Sequence, residues 1–391
     1  MSNKNKTWDP KKVSHRFWIL AVSLVITSGT AISPALPAMH EAFMDYPTTL
    51  IDMVATVQQI PAFIVLLFSS RLANRFGIKR IVLSGMLLMA IAGVAPVMMD
   101  NIWLILLARI VFGIGIGMTN SLAITLVNLY YEGDDQAQML GNRSAFEPIG
   151  VCAINLLAGF LLNINWQAAF LAYGFIFIVL LGFWKVVPEY HMPKQEKKKK
   201  AKSKLSWKII WPALFCGFLT IGMAIVNVLT PSVVVMNDIG DGTTASLIIT
   251  GYTIASMLMG FLFGAAFKAF KQYVLVAGLL CMSVGTILMN FATDIWSLSL
   301  AVGIIGLAYP LAGTYIFDMV DSHVAKSEDG LANSILLVGC NVGTAFAPAI
   351  VSCLEGFAPF SGSQPGIGVY GLITAVLTVL TLAVLLLKKK S

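Results

Sequence analysis

Apolar residues in this chain come in long unbroken blocks instead of alternating with polar ones. Twelve blocks, at 16–38, 47–72, 79–98, 102–130, 136–163, 166–187, 207–236, 243–267, 273–292, 295–320, 329–354 and 366–387, are set apart by polar segments. Each is long enough to cross the roughly 30 Å hydrocarbon layer of a bilayer as a helix, whose backbone satisfies its own hydrogen bonds there. The pattern predicts an all-α integral membrane protein with twelve transmembrane helices.

Basic residues obey the same periodic scheme. Apart from Arg109 and Arg143, which lie within apolar blocks, they fall in alternate segments: Lys4 to Arg16, Arg71 to Arg80, Lys185 to Lys208, Lys268 and Lys271, Lys326, and Lys388 to Lys390. The intervening segments hold Asp45, Asp100, Asp238, Asp241, Asp294 and Glu355, and no Lys or Arg. Basic loops translocate poorly, so the asymmetry predicts a cell-membrane protein with both termini in the cytoplasm.

Composition excludes the soluble classes. With 58% hydrophobic and 12% charged residues and a mean hydropathy of +0.83, too little polar surface exists for a water-facing shell. The net charge of +7 comes from the basic loops, where attraction to anionic membrane lipids accounts for it, and nucleic acid is not an expected partner. Five cysteines (Cys152, Cys216, Cys281, Cys340 and Cys353) lie in apolar blocks without CxxC spacing, which predicts small core residues and no disulfide or metal site. The first block follows a basic leader, as a signal peptide would. It is too long for such a segment and is expected to remain as the first helix.

The chain reads as a duplication. An offset of 193 residues pairs Trp18 with Trp211, Gly29 with Gly222, Arg75 with Lys268, Gly85 with Gly278, Ile102-Trp103 with Ile295-Trp296, and Gly113 with Gly306. Two pseudo-symmetric six-helix bundles are expected, at 1–187 and 207–391, joined by a basic cytoplasmic linker at 188–206 that contains Lys197 to Lys200. Six-span repeats of this kind build alternating-access transporters, with the substrate site at midplane between the halves. Trp103, Trp166 and Trp296 begin blocks at one interface, and Trp8, Trp18, Trp184, Trp207 and Trp211 lie near the other, as interfacial anchors do.

Three motifs carry a resemblance. The segment Ser70-Arg71-Leu72-Ala73-Asn74-Arg75-Phe76-Gly77-Ile78-Lys79-Arg80 resembles the GxLaDrxGrk loop of the major facilitator superfamily, with Ser70 for the first Gly and Asn74 for the Asp. Arg109 to Gly117, with Gly113, Gly115 and Gly117, is similar to the RxxxGxGxG element of its twelve-span drug:proton antiporters. Ser33-Pro34-Ala35-Leu36-Pro37 looks like the sPaLP ending of their first helix. The resemblance implies the major facilitator fold, no cofactor, and a gating loop formed by Arg71, Asn74, Arg75, Gly77, Lys79 and Arg80. Asn74 carries no charge, so a latch that depends on the family's Asp should be weaker; the competing reading of the loop is plain positive-inside charge. The antiporters' Gly-Pro element in span 5 is replaced by Ile154-Asn155-Leu156-Leu157-Ala158-Gly159, and span 1 lacks the acidic residue of some cation exporters.

Charges within the blocks mark candidate site residues, because burying one at mid-membrane costs at least about 2.5 kcal/mol unless it is partnered. Arg109 therefore needs a partner, water or an anionic substrate, or must snorkel to the surface. Arg143 and Glu147, four residues apart, share one helical face, and Pro148 is expected to disturb the backbone beside them. Glu147 reads as a proton-coupling or substrate-contacting group, against the alternative of a static ion pair. Secondary candidates are Asp52, Asp318, Asn120 and Asn227, of which Asp52 and Asp318 are expected to be the more exposed. Gly113, Gly115 and Gly117 are expected to serve close helix packing.

These features predict a secondary active transporter, a proton-coupled exporter of amphipathic or drug-like organic compounds. The alternative is a transporter of an organic anion or lipid-linked substrate drawn by the arginines. The expected partners are the small-molecule substrate, protons and membrane lipids, and the expected state is a monomer. An enzyme would need clustered acid–base groups, whereas His15, His40, His191 and His323 are scattered. No P-loop occurs in the sequence, so ATP is not the expected energy source.

Overall fold

The computed structural model describes residues 12–189, 207–323, 329–357 and 364–390. Among these, the chain is mostly helical, with short turns between helices and no strand. The elements are α1 (Val13–Ala21), α2 (Ser23–Ile26), α3 (Leu36–Ala42), α4 (Thr48–Asp52), α5 (Gln59–Phe76), α6 (Ile78–Val94), α7 (Ile102–Tyr130), α8 (Gly133–Leu161), α9 (Trp166–Ala169) and α10 (Phe175–Val186). They continue as α11 (Trp207–Ala224), α12 (Thr230–Met236), α13 (Gly242–Phe270), α14 (Val274–Asn290), α15 (Ile295–His323), α16 (Asp329–Glu355) and α17 (Pro365–Lys390). Among the described residues, ten runs are long and apolar enough to cross a membrane, and a bent pair, Val13–Ile26 with Ser28–Ala42, makes an eleventh. One of the ten, Gly242–Asn290, is far longer than a single crossing needs. It divides into α13 and α14 at Lys271, whose φ of 48° no continuing helix adopts, so twelve crossings result.

Residues contact one another as two compact units. One comprises Met1–Ala35 with Met53–Lys200, and the other Leu36–Asp52 with Ala201–Ser391. The segment Leu36–Asp52 thus groups with the second half of the chain, a feature the division at 187 and 207 did not anticipate. Of the expected linker, only Pro188 and Glu189 fall within the described residues; Lys197 to Lys200 lie outside them, as do Lys4, Lys6, Lys11 and Lys326.

Several of the expected continuous helices are interrupted: the sixth span passes through a 3₁₀ segment at Phe170–Gly174 and the seventh through a π segment at Ile225–Leu229, and the first two spans break as well. The first span bends by 49° at Thr27 and continues as a 3₁₀ segment, Ser28–Ala35. That stretch contains Ser28, Gly29, Thr30, Ser33 and Pro34, residues that favour local alternatives to α-helix. Ser28 Oγ donates to the Val25 carbonyl at 2.7 Å. The second span breaks over Met53–Ala55 and resumes as α5. By contrast, α8 runs through Pro148 without interruption, so the disturbance expected there amounts to one missing N–H.

Glycines at repeat-related positions do the same work in each unit. A Cβ on Gly85 would meet Thr119 and the Gly115 carbonyl of α7, and one on Gly278 would meet Ala312 and the Ala308 carbonyl of α15. Gly113 likewise lies against the Gln58 carbonyl, and Gly306 against that of Tyr252. Small residues let these helix pairs approach to backbone contact, which is how helices associate where lipid removes the hydrophobic driving force. The outer surface is apolar: Trp103, Trp211, Trp296, Leu258, Phe261 and Leu262 are all more than half exposed, as a lipid-facing belt requires. Of the cysteines, Cys216 and Cys340 are core residues as expected, but Cys353 is exposed and Cys152 and Cys281 are half-buried.

Candidate functional site

Three of the candidate residues meet in the first unit. On α8, Arg143 Nη2 lies 2.5 Å from Glu147 Oε1, and both side chains are largely buried. The same Nη2 donates to Asn120 Oδ1 of α7 at 3.3 Å, so one guanidinium nitrogen serves a carboxylate and an amide on two helices. Arg143 Nε, although buried, finds no partner. Beside this group the first span approaches closely, because Gly150 of α8 lies against the backbone of Leu24. Thr27 Oγ1, at the break in that span, points to the Glu147 carbonyl at 3.5 Å. A polar cluster of this kind within a span is expensive and marks a candidate functional site.

Arg109 is placed differently from these. It is fully buried, with Nε donating to the Val54 carbonyl at 2.9 Å and Nη2 to the Gly29 carbonyl. Both carbonyls belong to the 3₁₀ breaks, where the regular helical pattern lapses. The guanidinium also lies over Phe112 at 4.6 Å and Tyr173 at 5.1 Å, contacts that add roughly 0.5–2 kcal/mol each. Tyr173 in turn donates to the carbonyls of Ser28 and Gly29. The partner that a buried cation needs is therefore the backbone of two broken helices. Snorkelling does not occur.

The loop between α5 and α6 is organised around a residue outside its motif. Gly77 takes φ of 94°, a conformation only glycine adopts freely. A Cβ there would strike the Glu189 carboxylate. Glu189 Oε1 accepts from the Lys79 backbone N–H at 3.2 Å, at the N-terminus of α6, where helix geometry favours an anion. Its Oε2 lies 3.8 Å from Arg80 Nε, and Lys79 Nζ donates to the Trp184 carbonyl at 2.7 Å. Glu189 had been expected in the linker. The available signal was its place directly after the sixth span, ahead of the basic run. Arg71, Asn74 and Arg75 are exposed, with Arg71 and Arg75 lying over Phe68 and Phe76.

The remaining candidates are dispersed. Asp52 is buried, contrary to expectation, and accepts from or donates to His40 Nε2 at 2.9 Å. Asp318 is exposed. Asn227 is half-buried in a π-helical turn, Ile225–Leu229, and returns its amide to the Met223 carbonyl at 2.8 Å. Gly113 and Gly117 meet the backbone of α5 and its approach, while Gly115 meets Gly85 and Met89 of α6. Among the described residues, no group of three or more His, Cys, Asp or Glu side chains is placed to hold a metal ion.

A family model for the Major Facilitator Superfamily matches residues 18–228 and 211–391. The chain belongs to that superfamily of membrane transporters. The quinolone resistance protein NorA of Staphylococcus aureus (strain COL) is 24% identical over 297 residues, covering 73% of this chain and 76% of NorA. The inner membrane transport protein YnfM of Escherichia coli (strain K12) is 24% identical over 199 residues, 49% of this chain and 48% of YnfM. Among solved structures, a point mutant of the nucleoside transporter NupG aligns with a TM-score of 0.79 at 13% identity, covering 95% of this chain and 99% of NupG. A D-xylose-proton symporter aligns at 0.76 and 15% identity, over 94% of this chain and 96% of its own. These two show the fold and say nothing of the cargo.

Proposed function

We propose that this transporter exports amphipathic, drug-like organic compounds in exchange for protons. The observation that carries the reading is the Arg143–Glu147–Asn120 cluster, a titratable carboxylate held within a span by a cation and an amide. Protonation of Glu147 removes the charge that Arg143 balances, and a substrate that competes for the same groups is then coupled to the proton. The likeness to NorA, a quinolone resistance protein by name, supports export over uptake. The organic-anion alternative relied on Arg109 and Arg143 as attractors, and the engagement of Arg109 with backbone carbonyls and of Arg143 with Glu147 supports the export reading over it. In the proposed orientation both termini and the loop at Gly77 face the cytoplasm, as the distribution of basic residues implies.

The test uses purified protein in liposomes with a quinolone as probe. For molecules inserted with their cytoplasmic side outward, an acid lumen should drive the quinolone inward above its equilibrium level, and a protonophore should release it. Accumulation that ignores the pH gradient would overturn proton-coupled export.

A further inference from the structure

Helix packing in the second unit brings two thiols face to face. Where α11 and α16 cross, their backbones touch. A Cβ on Gly217 would meet the Gly339 carbonyl, one on Gly339 the Ala213 carbonyl, and one on Gly343 the Gly217 carbonyl. Small residues allow so close an approach. Cys216 stands beside Gly217 and Cys340 beside Gly339, and Thr220 Oγ1 of α11 donates to the Cys340 carbonyl at 2.9 Å. The two cysteines share one apolar core with Leu219, Leu279 and Leu336, and their thiols hydrogen-bond to each other. Both are free. Thiols in contact across such a crossing need little backbone movement to bond, since a disulfide joins residues whose Cα atoms lie about 4.4–6.8 Å apart. A third group completes the cluster: the Tyr309 hydroxyl of α15 lies 3.7 Å from Cys340 Sγ.

We propose that Cys216 and Cys340 form a reversible disulfide in response to hydrogen peroxide, a redox-sensitive cross-link between α11 and α16. Access orders the two steps, because thiol oxidation follows exposure: Cys340 is 8% exposed and Cys216 is 0% exposed. The Cys340 sulfur attacks one oxygen of the peroxide. The O–O bond breaks, hydroxide leaves as water with the thiol proton, and a sulfenic acid remains on Cys340. The Cys216 sulfur then attacks the Cys340 sulfur. The S–O bond breaks, and the hydroxyl departs as a second water with the Cys216 proton. Both thiols are oxidised and one peroxide is reduced. The Tyr309 hydroxyl stands at the sulfur where both oxygens depart and can donate to them. Peroxide is small and uncharged, so it reaches a sulfur within the bilayer at far lower cost than an ionic oxidant.

The full chain with Cys152→Ala, Cys281→Ala and Cys353→Ala retains this pair alone. Purified in detergent, it is treated with hydrogen peroxide, unfolded in dodecyl sulfate and titrated with a maleimide. Both thiols should be lost together and regained with dithiothreitol, and dimedone, which traps sulfenic acids, should label neither. Adding Cys216→Ala should halt the reaction at its first step, so that dimedone labels Cys340. Adding Cys340→Ala should leave Cys216 reduced. In the unaltered chain, mass spectrometry of a digest should find the Cys216 and Cys340 peptides linked. The oxidised pair should raise the unfolding midpoint, because the bond joins residues distant in sequence, and dithiothreitol should reverse the rise. Two intact thiols after peroxide, loss of one without the other, or no linked peptide would each overturn the proposal. These readouts involve no transport, so failure here leaves proton-coupled export standing.

Discussion

Arg143 and Glu147 face each other one turn apart on α8, and the nitrogen that reaches the Glu147 carboxylate also reaches Asn120 on α7. That shared donor ties the protonation of one helix to the position of its neighbour. Lysine at position 143 would keep the charge but lose the planar fork that places donors on two partners. Arg143→Lys is expected to lower gradient-driven quinolone transport about tenfold, measured in proteoliposomes, while the thermal unfolding midpoint stays within about 2 °C of wild type.

Arg109 should behave in the opposite way. Methionine there fills much of the volume but leaves the carbonyls of Gly29 and Val54 and the Tyr173 ring without their cation. Arg109→Met is expected to destabilise the first unit by about 2–4 kcal/mol, read as a lowered unfolding midpoint in detergent. A variant with an unchanged midpoint and no transport would move Arg109 from packing to the site.

Close approach of α8 to the first span gives a paired prediction. A methyl on Gly150 would overlap the Leu24 carbonyl, whereas Gly141 on the same helix has nothing within 4 Å of the corresponding position. Gly150→Ala should cost about 1–3 kcal/mol, and Gly141→Ala should be neutral or stabilising by about 0.5–1 kcal/mol. Unfolding midpoints of the two variants, compared side by side, check the helix crossing.

Asp241 accepts from the Thr244 backbone N–H at 2.8 Å and caps α13. Those backbone donors hold its carboxyl below the usual carboxylate range. A depressed folded-state pKa gives stability that is present above the unfolded value, near 3.9, and is lost as pH falls through the folded one. Between pH 5 and 8 Asp241 should therefore add no pH dependence, and Asp241→Ala should weaken the protein by about 1 kcal/mol equally across that range. Unfolding midpoints at several pH values measure this.

Much of this arrangement was legible from residue order alone. Unbroken apolar blocks can only satisfy their backbones in lipid as helices, so the twelve crossings followed, and the 193-residue offset located glycines that make equivalent close approaches in each unit. Asn120, Arg143 and Glu147 were each visible as polar groups in apolar surroundings. Hidden from that reading were relations set by tertiary contact. The Gly29 and Val54 carbonyls within the breaks after Thr27 and at Met53 are taken up by Arg109, a residue distant in sequence. Glu189 reads as part of a charged linker until Gly77 folds against it. The burial of Asp52 follows from its pairing with His40, twelve residues earlier across a turn.

Proton coupling through Glu147 is the claim on which the functional account turns. Glutamine at this position preserves size and hydrogen bonding but cannot exchange a proton. In liposomes, Glu147→Gln is predicted to abolish quinolone accumulation driven by a pH gradient while leaving gradient-free exchange of labelled for unlabelled quinolone intact. Uphill accumulation at the wild-type rate would contradict the account and remove Glu147 from the mechanism.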